Sequence, residues 1–215
     1  MSLASGLADG IGALGFSLPH ETQIRLLQYL ALIQKWNQVH NLTAVREPES
    51  MLTRHLLDSL AITPYITGER IVDVGSGAGL PGIPLALVRP EWHVALVESN
   101  HKKAIFLQQA KIELNLKNVE VVAGRVENFN SPEGFDMVIS RAFSDLADFV
   151  KLAGHLCGQG DGGGRLVAMK GIYPHEELAQ LKLEPNPCFF VEKVLPIAVP
   201  SLEAERHLVV MKRSA

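Results

Sequence analysis

Cysteine is nearly missing from this sequence: only Cys157 and Cys188 occur, far apart and with no CxxC pair. That excludes a disulfide framework and signals no zinc site or other metal centre. Positive charge is also scarce, since 20 Lys and Arg face 23 Asp and Glu for a formal net charge of -3. A protein that coats nucleic acid without specificity needs a broad cationic excess, so that class is set aside, while a local basic patch stays open. No apolar run reaches the roughly 18 residues that a spanning helix requires, and the N-terminus shows no basic stretch followed by an apolar one. No membrane association is expected, and the cytoplasm is the expected location. Apolar material, by contrast, is plentiful: 47% of the 215 residues are hydrophobic, which suits one large buried core and is incompatible with a disordered chain.

Along the chain the pattern changes once. Residues 1–15 are rich in Gly, Ala and Ser with little charge, which reads as a loosely ordered or weakly helical lead-in with no assigned role. Between Pro19 and Val39, Leu26, Leu30, Ile33 and Trp36 recur at helical spacing, and Leu52, Leu56 and Leu60 do the same between about Glu49 and Ile62. From Arg70 onward, short β-branched runs alternate with helix-like stretches, the signature of βαβ units and a parallel sheet. Strands are expected at Ile71–Val74, Val94–Glu98, Val119–Ala123, Phe135–Ser140 and Arg165–Met169, with helices at Pro84–Val88, Lys102–Leu114, Leu146–Leu156 and about Pro174–Leu183. Two last runs, Cys188–Pro196 and His207–Lys212, lie close enough to pair antiparallel. The expected fold is therefore α/β and Rossmann-like, of the class I S-adenosylmethionine-dependent methyltransferase type: a mostly parallel seven-stranded sheet with a terminal antiparallel hairpin and an N-terminal helical extension. Residues 1–66 form that extension packed on the core, and 67–215 the catalytic domain. No long heptad pattern demands a dimer, so a monomer is expected.

The chemistry is written most clearly at Ile71-Val72-Asp73-Val74-Gly75-Ser76-Gly77-Ala78-Gly79-Leu80-Pro81-Gly82. An apolar strand ends in alternating glycines, which let a ligand approach the backbone, and a helix follows whose first amides face that ligand. Gly75, Gly77, Gly79 and Leu80 are thus cofactor-binding candidates. The stretch Gly77–Gly82 satisfies GxGxxG literally, yet its first glycine stands two residues past Gly75 and Pro81 occupies the helix start. Asp73 decides more, because a carboxylate there repels a pyrophosphate but can hold, directly or through water, the cationic amino end of a methionine. S-adenosylmethionine carries that group and no phosphate. Glu98, closing the second strand, can accept hydrogen bonds from both ribose hydroxyls; NAD enzymes use an acid there too, so Glu98 alone does not discriminate. Val126 and Glu127, after the third strand, stand where an adenine is read, and Arg141, after the fourth, brings a cation toward the transferable methyl or is a plain surface charge.

With these residues in view, the chain resembles the bacterial ribosomal RNA small-subunit methyltransferase G family, also called glucose-inhibited division protein B, over nearly its whole length. The resemblance rests on Asn41-Leu42-Thr43-Ala44, Arg54-His55 with Asp58-Ser59-Leu60, Gly75 through Pro84, Ile139-Ser140-Arg141-Ala142-Phe143, Met169-Lys170-Gly171 and Glu205-Arg206-His207-Leu208-Val209-Val210. It implies methylation of guanine N7 in a loop of 16S ribosomal RNA, with S-adenosylmethionine as cofactor and cofactor contacts at Gly75, Leu80, Val126, Glu127 and Arg141. The glycine-dense stretch Gly158–Gly164 and the long lead-in depart from the typical pattern and touch loop shape, not chemistry.

Guanine N7 offers an in-plane lone pair and loses no proton on methylation, so no general base is expected, and Arg141 and Lys170 are candidates for orientation only. N7 is hard to reach in A-form RNA, so an unpaired or splayed base is expected, met by Asn41, Arg46, Arg54, His55, Lys170, Arg206 and His207. Arg54 four residues before Asp58 fits a helix ion pair equally well, and His55 a packing histidine. The acceptor could be naked 16S ribosomal RNA or the small subunit. The competing readings are a methyltransferase acting on a non-RNA acceptor, an NAD-linked oxidoreductase, and an RNA-binding module with a vestigial pocket.

Overall fold

The computed structural model describes residues 2–141, 143, 145–159, 163–183 and 188–214; Ala142 and the 160–162 part of the glycine-dense stretch lie outside the described residues. Two helices lead, α1 (Leu3–Ala13) and α2 (His20–His40). A second helical run comprises α3 (Pro48–Met51), a π-helical turn (Leu52–Leu57) and α4 (Asp58–Leu60). The sheet portion follows with β1 (Arg70–Val74), α5 (Gly82–Val88), β2 (His93–Glu98), α6 (His101–Glu113), β3 (Val119–Ala123), β4 (Met137–Ser140), α7 (Leu146–Ala153), β5 (Arg165–Lys170), α8 (His175–Leu183), β6 (Phe189–Pro196) and β7 (His207–Arg213).

One seven-stranded sheet runs in the order β3-β2-β1-β4-β5-β7-β6. The first five strands are parallel, and β7 is antiparallel to both β5 and β6. The terminal hairpin is therefore present, but its second strand, not its first, joins the parallel sheet. Phe135, expected inside the fourth strand, makes only an isolated bridge to Cys157. Chain order reverses between β1 and β4, so the carboxyl ends of these strands open a crevice there, the place where such sheets bind ligands. Among the described residues no helix is long and apolar enough to cross a membrane.

The lead-in departs from expectation. Its glycine content argues against a stable isolated helix, yet α1 is a full helix, capped by Ser2 and burying Leu7 and Ile11. Tertiary packing overrides propensity, since burying two aliphatic side chains contributes about 1.5–3 kcal/mol each. Glycine also lets this helix approach closely: a Cβ at Gly10 would sit 2.5 Å from Leu57 Cδ1, whereas one at Gly12 would meet nothing within 4 Å. Gly12→Ala is therefore expected to raise the melting temperature through helix propensity worth up to about 1 kcal/mol. Gly10→Ala should lower it, because overpacking a buried contact costs about 1–3 kcal/mol; thermal unfolding of the two variants side by side measures the difference.

The helical run 48–60 differs in kind from an amphipathic helix. Leu52, Leu56 and Leu60 are buried as expected, but so are His55, Leu57, Asp58 and Ser59. The leading helices share one core with α5, α6 and one face of the sheet, while α7 and α8 cover the other face. Tyr29 shows how tightly they join: its phenol is fully buried and donates to the Ala78 carbonyl inside the glycine turn. Burial also raises the Tyr29 pKa well above its usual value, so the ring stays a neutral donor.

Candidate active site

The glycine turn is held from three sides. Gly75 and Ser76 amides both donate to Val97 O, at 2.9 and 3.2 Å, and Gly79 N–H closes the turn on Ser76 O at 2.7 Å. Gly75 and Gly77 adopt φ of 69° and 60°, the left-handed region that glycine enters without strain. A Cβ at Gly75 would meet no protein atom within 4 Å, so this backbone faces open space. That space is a cavity of about 350 Å³ lined by Gly75, Ser99, Gly124, Val126, Glu127, Phe143 and neighbours. It collects the turns after β1, β2 and β3 in one place, although they are distant in sequence.

Asp73 lies directly beneath the turn, 1% exposed. Its Oδ2 accepts from the Gly82 amide at 2.9 Å, while Oδ1 has no partner among the described residues. Burial is the main reason its pKa is pushed up to about 7, with the Gly82 hydrogen bond pulling the other way. A buried carboxyl with one unused oxygen fits the ammonium end of a methionine-like cofactor, which would supply the missing charge and donors.

Glu98 is busier than expected. Its Oε2 accepts from the Gly77 amide and its Oε1 from the Asn100 amide, both at 2.7 Å. The carboxylate thus braces the glycine turn as well as facing the end of β2. Each oxygen still has a second lone pair for a ribose hydroxyl. Gly77, Gly79 and Leu80 build the turn without lining the cavity, and a Cβ at Gly79 would lie 2.5 Å from Ile83 Cδ1.

A second cavity, of about 360 Å³, is lined by Arg54, His55, Asp58, Arg141, Lys170 and Arg206 among others. Its hub is Asp58, 2% exposed, for which a helix pair with Arg54 was one of two readings. Instead Arg206 Nε donates to Asp58 Oδ1 at 2.6 Å and Arg141 Nη1 stands 3.5 Å from Oδ2. Arg141 Nη1 also donates to the Arg54 carbonyl at 3.1 Å, leaving the Arg54 side chain exposed. The π-helical turn changes the rotation between residues 54 and 58, so the i,i+4 argument fails there.

His55 Nε2 sits 3.0 Å from Thr43 Oγ1, which in turn accepts from the Val45 amide at 3.1 Å. Burial first, and then the Arg141 charge, lower the His55 pKa to about 4, so the ring is neutral at pH 7. Lys170 pairs with Glu177 at 2.8 Å and donates to the Phe143 carbonyl at 3.3 Å. Phe143 lines the first cavity and Lys170 the second, so this bond joins the two. Ser140 adds a further tie across the crevice, its hydroxyl donating to Val74 O at 2.9 Å.

Of the residues proposed from sequence, Gly75, Val126 and Glu127 meet in the first cavity, and Arg54, His55, Lys170 and Arg206 in the second. Arg141, expected beside the cofactor, lines the second cavity. His207 lies at its edge, its Nδ1 bonded to Gly171 O at 2.8 Å. Asn41 and Arg46 are exposed and outside the lining; Asn41 caps α2 in the left-handed conformation at φ 46°, which Asn tolerates for local reasons. Tyr29, Phe143, and Asp58 as hub were not anticipated as site residues. Only the residue types of Asp58 and Phe143 within the quoted motifs pointed toward them. Among the described residues no cluster of three or more His, Cys, Asp or Glu is placed to hold a metal ion.

Known proteins resemble this chain over its whole length. A family model described as GidB, rRNA small subunit methyltransferase G, matches residues 22–209. A ribosomal RNA small subunit methyltransferase G from Nitrosospira multiformis is 67% identical, with 100% of this chain and 99% of the relative aligned. One from Nitrosomonas eutropha is 54% identical over 99% of this chain and 98% of its own length. Among solved structures, the glycopeptide N-methyltransferase MtfA complexed with S-adenosyl-L-methionine superposes with a TM-score of 0.60 at 12% identity, covering 75% of this chain and 88% of that one. A putative RNA methyltransferase from Pyrococcus horikoshii gives 0.52 at 18% identity, covering 87% and 97%. These two likenesses establish the class I methyltransferase fold.

Proposed function

The chain belongs to the rRNA small subunit methyltransferase G family, and on that premise we propose that it transfers the methyl group of S-adenosylmethionine to N7 of a guanine in a loop of 16S ribosomal RNA. The observation that carries the reading is the adjacency of two unlike cavities, joined where Lys170 meets the Phe143 carbonyl. One offers a glycine turn, the Glu127 carboxyl and an apolar wall; the other offers four cations and one buried acid. In this reading residues 1–66 are a helical segment packed on a methyltransferase domain at 67–215, and the enzyme works in the cytoplasm as a monomer without a metal.

When bound, S-adenosylmethionine supplies an activated methyl on its sulfonium. Asp73 would hold the amino end with the oxygen that no described residue bonds, and Glu98 would keep the turn in register and accept from the ribose hydroxyls. The backbone at Val126 and the Glu127 side chain, both lining the cavity, would take the adenine. Guanine N7 presents its own lone pair, so no side chain of the site needs to remove a proton. Positive charge moves onto the guanine as the methyl arrives, and a bare cation beside N7 would oppose it. Asp58 opposes this by pairing with both Arg141 and Arg206, so that the two arginines position groups with one of their two charges offset. Arg54, exposed and without an acidic partner among the described residues, serves the RNA phosphates. His55, neutral at pH 7, adds no charge.

The test is transfer of labelled methyl to 16S ribosomal RNA, or to small subunits, from a strain lacking this gene, followed by mapping of the modified base. Label at a single guanine N7 is the expected result. Absence of transfer to either RNA form, with S-adenosylhomocysteine still bound, would move the acceptor outside RNA.

A further inference from the structure

Immediately past the carboxyl end of β5, two consecutive large apolar side chains are left in solvent: Ile172 is 80% exposed and Tyr173 37%. A large exposed aromatic beside an aliphatic is a surface that gains by being covered. Tyr173 is also braced. Its ring centroid lies 4.4 Å from that of His175, tilted by 43°, and 5.4 Å from that of His207, edge-on at 84°. His207 is itself fixed, because its Nδ1–H donates to Gly171 O at 2.8 Å, and its Cα pairs across the sheet with Lys170. The ring cluster therefore sits against the rim of the cation-lined cavity, to which Lys170, Gly171 and Arg206 belong.

Charge chooses among the surfaces that might cover these rings. The chain as a whole is acidic, at -3, yet this rim carries Lys170 and Arg206 together with Arg54 and Arg141. Cations that track a phosphate backbone, interleaved with a braced aromatic ring, form the arrangement on which unpaired nucleic-acid bases stack. We propose that Tyr173, held by His207 and His175, is a stacking platform for an unpaired nucleobase neighbouring the target guanine. The inference rests on the RNA-methylating reading above and assigns Tyr173 a positioning role. It takes no part in the methyl transfer itself. Stacking requires the ring and not the hydroxyl, so Tyr173→Phe and Tyr173→Ala separate the two.

Steady-state methyl transfer to deproteinised 16S ribosomal RNA and to isolated small subunits tests it. Tyr173→Ala is expected to raise KM for RNA about ten-fold, within the range that one stacked base is worth. Its kcat and its affinity for S-adenosylhomocysteine should stay near wild type, and Tyr173→Phe should restore KM. An unchanged KM in Tyr173→Ala overturns the platform, as does an equal defect in Tyr173→Phe, which would point to the hydroxyl. A parallel loss of S-adenosylhomocysteine binding would make the role structural and overturn it too. A defect seen with assembled subunits and absent with deproteinised RNA would assign the ring to a ribosomal protein instead. Failure of the wild-type enzyme to methylate any RNA would instead remove the functional reading, and this inference with it.

Discussion

Asp58→Ala is expected to abolish methyl transfer and to lower the melting temperature by several degrees. The substitution removes the only acid that lines the second cavity among the described residues and leaves Arg141 and Arg206 facing one another beside it. Breaking a buried ion pair from one side costs about 3–5 kcal/mol in fully buried settings. Here both arginine side chains retain roughly a quarter of their exposure, at 26% and 23%, so solvent screening reduces the cost to about 2–3 kcal/mol. For a chain of this size that corresponds to roughly 4–12 °C. Catalysis should suffer more than stability, because two uncompensated cations would sit where the guanine gains positive charge. Arg141→Ala makes the comparison sharper, since it keeps the Asp58–Arg206 pair and should cost less stability while still impairing methyl transfer. Wild-type rates for both variants, measured on folded protein, would sink the assignment of this cavity to the acceptor.

Asp73→Asn is the second substitution with a large expected effect, and it should dissociate cofactor binding from stability. Asparagine still offers an oxygen to the Gly82 amide but no charge to an ammonium group. Charge-assisted hydrogen bonds contribute about 1.5–3 kcal/mol, so affinity for S-adenosylhomocysteine should fall by about ten- to a hundred-fold in titration calorimetry. Stability in the absence of cofactor should hold or rise at neutral pH, because a buried carboxyl with an unpaired oxygen is removed.

The pH dependence has a definite sign. Without cofactor the Asp73 pKa is raised to about 7, so the folded chain binds a proton that the unfolded chain releases near pH 4. The stability due to that proton is complete below the unfolded value and is lost as pH rises through about 7. Cofactor affinity runs the opposite way, because the ammonium needs the carboxylate. It should be constant well above pH 7 and weaken about ten-fold per unit below it, and the Asn variant should show no such slope. An identical slope in both proteins would assign the titration to another group.

Much of the fold could be read along the chain because the relevant physics is local. Short, nearly continuous apolar runs mark Ile71–Val74 and Val94–Glu98 as buried parallel strands, and a glycine run after β1 has few conformations other than a tight ligand-facing turn. The strand and helix boundaries fall within a few residues of the pattern, with Phe135 and Cys188 left outside the ladders. Asp73, one residue before the end of β1, pointed to a cationic partner through its charge alone. The resemblance then connected that turn with segments hundreds of ångströms away along an extended chain.

What local pattern could not supply were outcomes decided by distant neighbours. Helix α1 exists because Leu7 and Ile11 find the core formed with the 48–60 run, which its own glycine-rich sequence gives no reason to expect. Strand β7 lies between β5 and β6 because its register with β5, from Arg165↔Lys212 to Lys170↔His207, can form only once the parallel sheet is in place. The hub at Asp58 gathers Arg141 from just after β4 and Arg206 from just before β7, and the π-helical turn denies it the Arg54 partner that helical spacing suggested. Glu98 and Tyr29 grip the glycine turn through hydrogen bonds across 21 and 49 positions. The sequence by itself determined the α/β class, the ligand turn and the sign of the charge beneath it, because dihedral preference and periodicity act between neighbours. Tertiary structure alone decided which acid meets which cation and where the two cavities join, because burial, packing and electrostatics act through space.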